Sequence, residues 1–244
     1  MRRLLLIIPL ALLLAVAGYV HLVGQPDALR HIVLNQCLQG WRQQGVPVPC
    51  ARITQDAAVL KDRNGPLQYL LLPVIKINGI ESPMLLDAAT PNYFRLAWQA
   101  RDLMSVKRGA PVPDEAIALT VNSRIGRTQN HLHIHISCLR PEIRERLNRS
   151  AIHVDARWQP LSESINGHRY LARRVSAGEL NRQSPFRLLA NGVPGARAHM
   201  GRYGLALALL PGGDFVLLAT ERHLLRLHLA SSEEIQDHEC AILK

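Results

Sequence analysis

The chain mixes segments of strand-like apolar patterning with segments whose apolar residues recur at helical spacing. We predict strands at 57–61, 67–73, 116–121, 131–138, 170–175, 204–210 and 215–220. We predict helices from Asp27 to about residue 39, from Thr90-Pro91 to Lys107 and Arg108, over 142–148, from Ser184-Pro185 to about Gly192, and from Ser231 or Ser232 to Cys240. After residue 25 no long linker divides the chain, so this order predicts one α+β domain with an elaborated C-terminal half.

The first 25 residues have a different pattern from the rest. Arg2 and Arg3 precede an almost unbroken apolar run over 4–23. About 20 apolar residues are enough to cross a bilayer as a helix. A basic flank stays in the cytoplasm, so we predict one N-terminal transmembrane helix with the remaining chain outside the cytoplasm.

A cleaved signal peptide is the alternative interpretation of the same run. Its apolar centre would be 4–14, and residues 15–17 have the small-x-small form of a cleavage site. We favour an uncleaved anchor because the apolar run continues over 18–23. The predicted organisation is therefore an anchor at 1–25 followed by a catalytic domain at 26–244.

The chain is strongly basic, with 29 lysines and arginines against 19 acidic residues and a formal net charge of +10. Such an excess favours anionic partners. The arginines are scattered, and an exported protein rarely meets nucleic acid. We therefore expect a membrane lipid surface or a phosphorylated substrate as the partner, and no nucleic acid.

The four cysteines form an even set, which fits an oxidising compartment. Four cysteines allow three connectivities, and four unlinked thiols are the alternative. Cys37 and Cys50 flank a short segment with glycine and prolines, so we favour this pair. Cys138 and Cys240 would then form the second disulfide.

The chemistry of the chain is concentrated in residues 130–138, which read Asn-His-Leu-His-Ile-His-Ile-Ser-Cys. In a strand, alternate side chains point to opposite faces. The three histidines, His131, His133 and His135, therefore share one face, and the aliphatic residues between them share the other. Three histidines on one strand face indicate a functional role.

A metal site is one interpretation of this cluster. His131 and His135 are four residues apart, which is about 13 Å along a strand at about 3.3 Å per residue. All three rings therefore do not reach one ion, given metal–nitrogen bonds of about 2.0–2.1 Å. A pair such as His131 and His133 would need a third ligand, for which the candidates are His153, His168, Asp87 and Glu81.

Phosphoryl or nucleotidyl transfer is the interpretation that uses the histidines as a row. The middle imidazole attacks phosphorus while its neighbours contact phosphate oxygens. The preceding loop is rich in hydrogen-bond donors, two of them cationic. These candidate substrate-binding residues are Asn122, Arg124, Arg127, Thr128, Gln129 and Asn130.

The row also resembles the signature of the histidine-triad (HIT) superfamily, in which three histidines alternate with apolar residues. More closely, the chain resembles the CDP-diacylglycerol pyrophosphatases of bacteria, membrane-anchored members of that superfamily. The similar segments are 64–73, 96–102, 126–138, 170–175, His199-Met-Gly-Arg-Tyr-Gly204 and Glu233-Glu-Ile-Gln-Asp-His238. Together they span nearly everything after the anchor.

The resemblance implies a HIT-like antiparallel sheet with helices and hydrolysis of CDP-diacylglycerol to CMP and phosphatidate. It makes His133 the nucleophile of a cytidylyl-histidine intermediate, with His131 and His135 orienting it and contacting the phosphates. No metal or other cofactor is implied. Gln68 stands where many superfamily members have a further histidine, and we expect it to contact substrate.

The resemblance also implies a bacterial inner-membrane protein with one membrane pass and a periplasmic catalytic domain, acting in phospholipid metabolism. The alternatives are a metal-dependent phosphoesterase and a non-catalytic nucleotide- or lipid-binding protein. The oligomeric state stays open, because the large C-terminal half can take the place of a partner subunit.

Overall fold

The computed structural model describes residues 26–244, so the anchor expected at 1–25 lies outside the described residues. No helix within 26–244 has the length and hydropathy needed to cross a bilayer. The described residues form an α+β fold built on one large antiparallel sheet, as the sequence patterns predict.

In the part of the chain that the structure describes, the sheet has ten strands. They are β1 (Arg52–Ile53), β2 (Ala57–Lys61), β3 (Tyr69–Pro73), β4 (Ile117–Val121), β5 (Ile134–Leu139), β6 (Gln159–Pro160), β7 (Leu171–Val175), β8 (Tyr203–Leu209), β9 (Phe215–Glu221) and β10 (Gln236–Asp237). Nine follow the order β1-β2-β3-β5-β4-β8-β9-β7-β6. The tenth, β10, pairs with β5 at Cys138 and Leu139. The strand of the histidine row is therefore central, with β3, β4 and β10 all paired to it.

Within residues 26–244, seven α-helices accompany the sheet. They are α1 (Ala28–His31), α2 (Leu38–Gln44), α3 (Tyr93–Gln99), α4 (Asp102–Arg108), α5 (Pro141–Ser150), α6 (Ala177–Arg182) and α7 (Pro185–Gly192), and a π-helical stretch (Ile32–Cys37) joins α1 to α2. The 3₁₀ turns are Pro83–Leu86, Asp114–Ala116, Ala151–His153, Ala196–Ala198, Met200–Arg202, Leu224–Arg226, Ser232–Ile235 and Ala241–Leu243.

The two faces of the sheet are covered differently. One face carries the largest apolar cluster, in which Phe94, Met104 and Phe186 from three helices pack on Leu119 and Ile136 of the sheet. The other face carries two smaller clusters, one beneath α5 and one beneath α1 and the π-helical stretch Ile32–Cys37. The polar residues of β5 lie between these two clusters, so the histidine row occupies the gap in the apolar cover.

Three predicted elements differ from the observed ones. The histidine strand begins at Ile134, so His131 and His133 precede it. The helix expected from Thr90 is divided into α3 and α4, and Asn92 caps α3 by accepting a hydrogen bond from the Arg95 N–H. The helix expected near the C-terminus is the 3₁₀ turn Ser232–Ile235 followed by β10, because Gln236 pairs with Leu139 of the sheet.

Two disulfides connect the four cysteines. Cys37 is joined to Cys50, and Cys138 to Cys240, which are the pairs favoured from the sequence. The first ties the N-terminal helices to the loop before β1. The second ties the C-terminus to β5, directly beside the histidine row.

Candidate active site

The three histidines of the row are buried, with at most 7% of each residue exposed. His133 lies in the middle, and its Nδ1 is 2.6 Å from the backbone oxygen of His131. Since a carbonyl oxygen only accepts, Nδ1 carries the proton and Nε2 keeps its lone pair. Among residues 26–244, no side chain or backbone group forms a hydrogen bond with that Nε2. His133 therefore has a ring nitrogen whose lone pair is available for nucleophilic attack.

Burial keeps this imidazole neutral. It lowers the pKa of His133 to about 4, and the neighbouring charges of His135 and Arg127 act in the same direction. The carbonyl of His131 and the carboxylate of Glu233 partly oppose this decrease. At neutral pH nearly all of His133 is thus in the form that can attack an electrophile.

His131 is placed differently from the other two histidines. Its Nε2 is 2.9 Å from the backbone oxygen of Pro73, at the end of β3. Burial lowers the pKa of His131, so its ring is neutral and Nε2–H donates to this carbonyl. Its remaining nitrogen, Nδ1, then has a lone pair and no proton to donate. The side chain of His131 fixes the backbone from which His133 projects.

His135 lies on β5 opposite Leu70 of β3 and Thr120 of β4. Its ring meets that of His133 edge-on, with centroids 5.0 Å apart. Nδ1 is 3.3 Å from Oε1 of Glu233 and 3.3 Å from the side-chain nitrogen of Gln68. Its Nε2 is buried and has no partner within 26–244. His135 is therefore held from its Nδ1 side, with Nε2 left for a further contact.

Glu233 is the residue that connects the row to the C-terminal half. Asn122 donates from Nδ2 to one carboxylate oxygen at 3.1 Å and accepts the Glu233 backbone N–H at 3.2 Å. The other carboxylate oxygen is 3.1 Å from Nε2 of His238. Burial by itself raises the pKa of Glu233, but His135, Asn122 and His238 outweigh it and keep the pKa below its ordinary value. Glu233 is thus a half-buried carboxylate held in its charged form.

Sequence reasoning did not assign a role to Glu233. It lies in the segment Glu233–His238, which was one of the segments similar to the family, and that was the only signal pointing to it. No spacing rule connects it with a histidine almost 100 positions earlier in the chain. Only the pairing of β10 with β5 brings the two together.

The backbone of the row is also held from the terminal segment. Gln236 donates from Nε2 to the backbone oxygens of Ala118 at 2.7 Å and His135 at 3.3 Å. Its Oε1 accepts the hydroxyl of Thr120 at 3.0 Å. These groups are buried, and a buried amide with all its partners in place favours a single local arrangement.

The loop before the row contains the six donors expected to bind substrate, and their positions differ. Asn122 is buried against Glu233, as described above. Arg127 forms a two-pronged ion pair with Glu81, with nitrogen–oxygen distances of 2.6 and 2.7 Å. Arg124 is exposed, and its backbone N–H donates to Gly201. Thr128 is exposed at the loop surface.

Gln129 and Asn130 contact the N-terminal segment. The Gln129 side-chain oxygen accepts the N–H of Leu29 at 3.1 Å. The Asn130 N–H donates to the carbonyl of Pro26 at 2.5 Å, and its own carbonyl accepts from Arg30. The structure therefore places Gln68 and Asn122 beside the row, while Arg127, Gln129 and Asn130 have protein partners that order the loop.

Among residues 26–244, none of the four proposed third ligands forms a metal-ligating group with a pair of histidines from the row. Glu81 is paired with Arg127, and His168 lies in a separate group with His228 and Glu234. Within 26–244 this is the one group of three whose donor atoms all lie within 4.8 Å of one another. His168 Nδ1 is 2.7 Å from Glu234, and the rings of His168 and His228 stack at 3.7 Å.

The fold and the site together define a class: an α+β enzyme in which a buried, neutral histidine presents a free ring nitrogen beside a histidine–carboxylate pair. The chain belongs to the CDP-diacylglycerol pyrophosphatase family, whose family model matches residues 24–244. The family takes its name from the hydrolysis of CDP-diacylglycerol, a reaction of phospholipid metabolism.

One solved structure, Hnt3, is similar to part of the chain. The similarity covers 46% of this chain and 61% of Hnt3, with 14% sequence identity and a TM-score of 0.31. This chain thus spans about 61% of the length of that protein.

Proposed function

We propose that this protein hydrolyses CDP-diacylglycerol through a covalent cytidylyl-histidine intermediate on His133. The free Nε2 of His133 is the observation that carries the proposal, because the carbonyl of His131 fixes the proton on Nδ1. A neutral imidazole whose lone pair is available near pH 7 is a suitable nucleophile towards phosphorus. The family match supports the substrate.

In the first step the Nε2 lone pair attacks the phosphorus attached to cytidine. A nitrogen–phosphorus bond forms as the bond from that phosphorus to the bridging oxygen breaks, and phosphatidate leaves with the oxygen. In the second step water attacks the same phosphorus, the nitrogen–phosphorus bond breaks, and CMP leaves with His133 restored. Splitting the reaction in this way replaces one difficult displacement with two easier ones.

We assign the proton transfers to His135. A carboxylate only accepts, so Nδ1–H of His135 donates to Glu233 at 3.3 Å, and Nε2 faces away from that contact. A proton on Nε2 is donated to the bridging oxygen in the first step and recovered from water in the second. The charge of Glu233 offsets the positive charge that His135 carries before the first step and again after the second, when both of its ring nitrogens are protonated.

The role proposed for His131 is positional. Its Nε2–H is committed to Pro73, and its carbonyl holds the proton of His133. The phosphate contacts expected from the ring of His131 are therefore assigned instead to His135. Gln68 and Asn122 lie close to His135, because both donate hydrogen bonds to Glu233. The positive charge of Arg127 lies near enough to lower the pKa of His133, and it adds positive potential for the pyrophosphate.

We further propose a HIT-like arrangement, with one membrane pass at 1–25 and the catalytic domain at 26–244 in the periplasm of a bacterial inner membrane. Three alternating histidines beside a central antiparallel strand support the first point. The apolar run over 4–23 with its basic flank supports the second. Two disulfides support an oxidising compartment.

Trapping the intermediate tests the mechanism directly. The full chain in detergent is mixed with CDP-diacylglycerol labelled in the cytidylyl phosphate and quenched in base within the first turnover, because phosphohistidine survives base. Mass spectrometry is expected to locate the label on His133. Full CMP release with label on no histidine, or label on His131 or His135, would contradict the assignment.

A further inference from the structure

Residues 222–229 form a surface segment that exposes an unusual amount of apolar area. The exposed fractions are 57% for Leu224, 94% for Leu225, 89% for Leu227 and 44% for Leu229. Single exposed apolar residues are ordinary, whereas several together indicate a binding surface. We call residues 224–229 the leucine loop.

The base of the leucine loop is fixed, so its leucines project from an ordered turn. His223 and His228 exchange backbone hydrogen bonds of 2.8 and 3.1 Å across the loop. The ring of His228 stacks on His168, and His168 pairs with Glu234. Between the two ends, Leu224–Arg226 forms a 3₁₀ turn.

The loop lies next to the site. The carbonyl of Leu229 accepts the hydroxyl of Ser123, and the carbonyl of Ala230 accepts the N–H of Ser123 at 3.1 Å. The residue before Ser123 is Asn122, which holds Glu233 beside His135. The leucine loop is therefore attached to one end of the polar loop 122–130.

The other end of the polar loop is attached to the N-terminal segment. Pro26, three residues after the apolar run over 4–23, accepts the N–H of Asn130 at 2.5 Å. Leu29 donates to the side chain of Gln129. If the run spans the bilayer, its end lies at the membrane surface, and the polar loop and the leucine loop are held close to that surface.

Exposed cations accompany the leucines. Arg226 lies within the loop, and Arg124 lies in the polar loop beside it. Neither forms an ion pair with any group in residues 26–244. Leucines flanked by free arginines match the chemistry of an anionic phospholipid surface, where apolar side chains insert and arginines meet head groups.

We propose that Leu224, Leu225 and Leu227 insert into the anionic bilayer that carries the substrate, with Arg124 and Arg226 at the head groups. The histidine row then opens towards the membrane surface. The head group of CDP-diacylglycerol reaches the row while its acyl chains stay in the bilayer. This proposal rests on the proposed function for its lipid substrate, and it adds a second membrane contact to the anchor.

A probe on the loop tests insertion. The full chain carrying Leu225→Cys, labelled with an environment-sensitive fluorophore, is reconstituted into vesicles of equal parts phosphatidylcholine and phosphatidylglycerol. Ile152→Cys is the matched control, since Ile152 is 84% exposed in the turn after α5. We expect a blue shift and quenching by lipid-borne nitroxides at position 225 but not at 152.

Water-like emission at both positions would overturn the proposal. So would a shift at 225 that appears equally in detergent without lipid and grows with protein concentration, because a second copy of the chain would then cover the loop.

A kinetic measurement separates this inference from the proposed function. The double substitution Leu225→Gln with Leu227→Gln is expected to raise the apparent KM for vesicle-borne CDP-diacylglycerol about tenfold, through loss of apolar insertion. It should leave turnover of a short-chain, water-soluble CDP ester unchanged, as should Ile152→Gln with both substrates.

An unchanged KM on vesicles would overturn insertion while leaving the proposed function intact. Conversely, if the unmodified chain turned over neither substrate, the proposed function would fail, and the fluorescence result would still decide the membrane contact.

Discussion

Residues 131–135 and residues 231–240 lie side by side in the fold, although 101 positions separate His135 from Gln236. In the first region the imidazole of His133 is held by the backbone carbonyl of His131, and the ring of His131 donates in turn to the carbonyl of Pro73. The second region contributes side chains: the carboxylate of Glu233 and the amide of Gln236. In the proposed mechanism, the first region therefore supplies the nucleophile, and the second supplies the charge and the hydrogen bonds that orient His135.

The difference between the two regions explains why a short motif is only part of this site. The tautomer of His133 depends on a carbonyl two residues earlier, so it is set wherever the row adopts this conformation. The orientation of His135 depends on Glu233, which reaches it only when β10 is paired with β5. Substitutions in the two regions should accordingly have different kinetic signatures.

The largest expected effect is in the histidine row itself. His133→Ala removes the attacking nitrogen, and CMP release should fall by about 10⁴-fold or more, as for other nucleophile deletions. The measurement is steady-state CMP release, with far-UV circular dichroism to show that the fold is kept. His199→Ala, at an exposed histidine, is the matched control and should retain activity. Substantial activity in His133→Ala would contradict the proposed mechanism.

The next effect comes from the disulfide that joins the two regions. Replacing Cys138 and Cys240 with alanine opens a loop of 102 residues, and unfolded-chain entropy predicts a loss of about 4.7 kcal/mol in the free energy of unfolding. Replacing Cys37 and Cys50 opens a loop of 13 residues and should cost about 3 kcal/mol. Urea unfolding of the full chain in detergent measures both.

The two disulfide variants should also differ in activity under conditions where both are folded. Cys240 follows the segment that carries Glu233, so the Cys138 and Cys240 variant should lose turnover as well as stability. The Cys37 and Cys50 variant should lose stability with little change in turnover. Equal turnover in the two would indicate that β10 stays in register without its disulfide.

A smaller loss of activity is expected when the carboxylate of Glu233, in the terminal segment, is replaced. Glu233→Gln keeps the shape of the side chain but removes its charge, and it should lower kcat by about 10²-fold, within the range for general acid–base catalysis. The KM should change little. Glu234→Gln is the matched control, because Glu234 is next to Glu233 in the sequence but pairs with His168 and Tyr170 and not with the histidine row. With a short-chain, water-soluble substrate, equal losses in the two variants would contradict a specific role for Glu233.

Local features of the sequence predict the fold class and the histidine row of this protein. The α+β class, the hairpin of β8 and β9 and the presence of a histidine strand all follow from local patterns of apolar residues and turns. The row was identified because alternation and residue type are local properties. The predicted start of the histidine strand was wrong by three residues, because the strand begins at Ile134. His131 and His133 form hydrogen bonds with backbone carbonyls that are not part of the strand pairing of β5.

The parts that could not be predicted depend on contacts between distant segments. The terminal helix was expected from the serine and glutamate near 231–234, yet pairing of Gln236 with Leu139 imposes an extended conformation there. The ion pair between Arg127 and Glu81, 46 positions earlier in the chain, was also not predicted. The contact of Arg127 with substrate stays a prediction. Charge and loop position indicate a candidate ligand, whereas only tertiary structure shows which partner it has.

The last prediction concerns pH and uses charges from both sides of the row. His133 must be neutral to attack, and its pKa is about 4, so activity should be full near pH 7 and fall as the pH drops through about 4. An ordinary histidine would lose activity around its unperturbed pKa of about 6.5. The measurement is the pH profile of kcat/KM, which reports groups of the free enzyme.

Two variants should move the acid limb of this pH profile, the fall in activity at low pH, in opposite directions. The carboxylate of Glu233 raises the pKa of His133, so Glu233→Gln should shift the limb to lower pH. The guanidinium of Arg127 lowers the same pKa, so replacing Arg127 and its partner Glu81 together with glutamine should shift it to higher pH. The double substitution leaves no unpaired buried charge behind. Shifts in the same direction, or a limb near the ordinary histidine value in the unmodified chain, would show that burial does not set the protonation of His133.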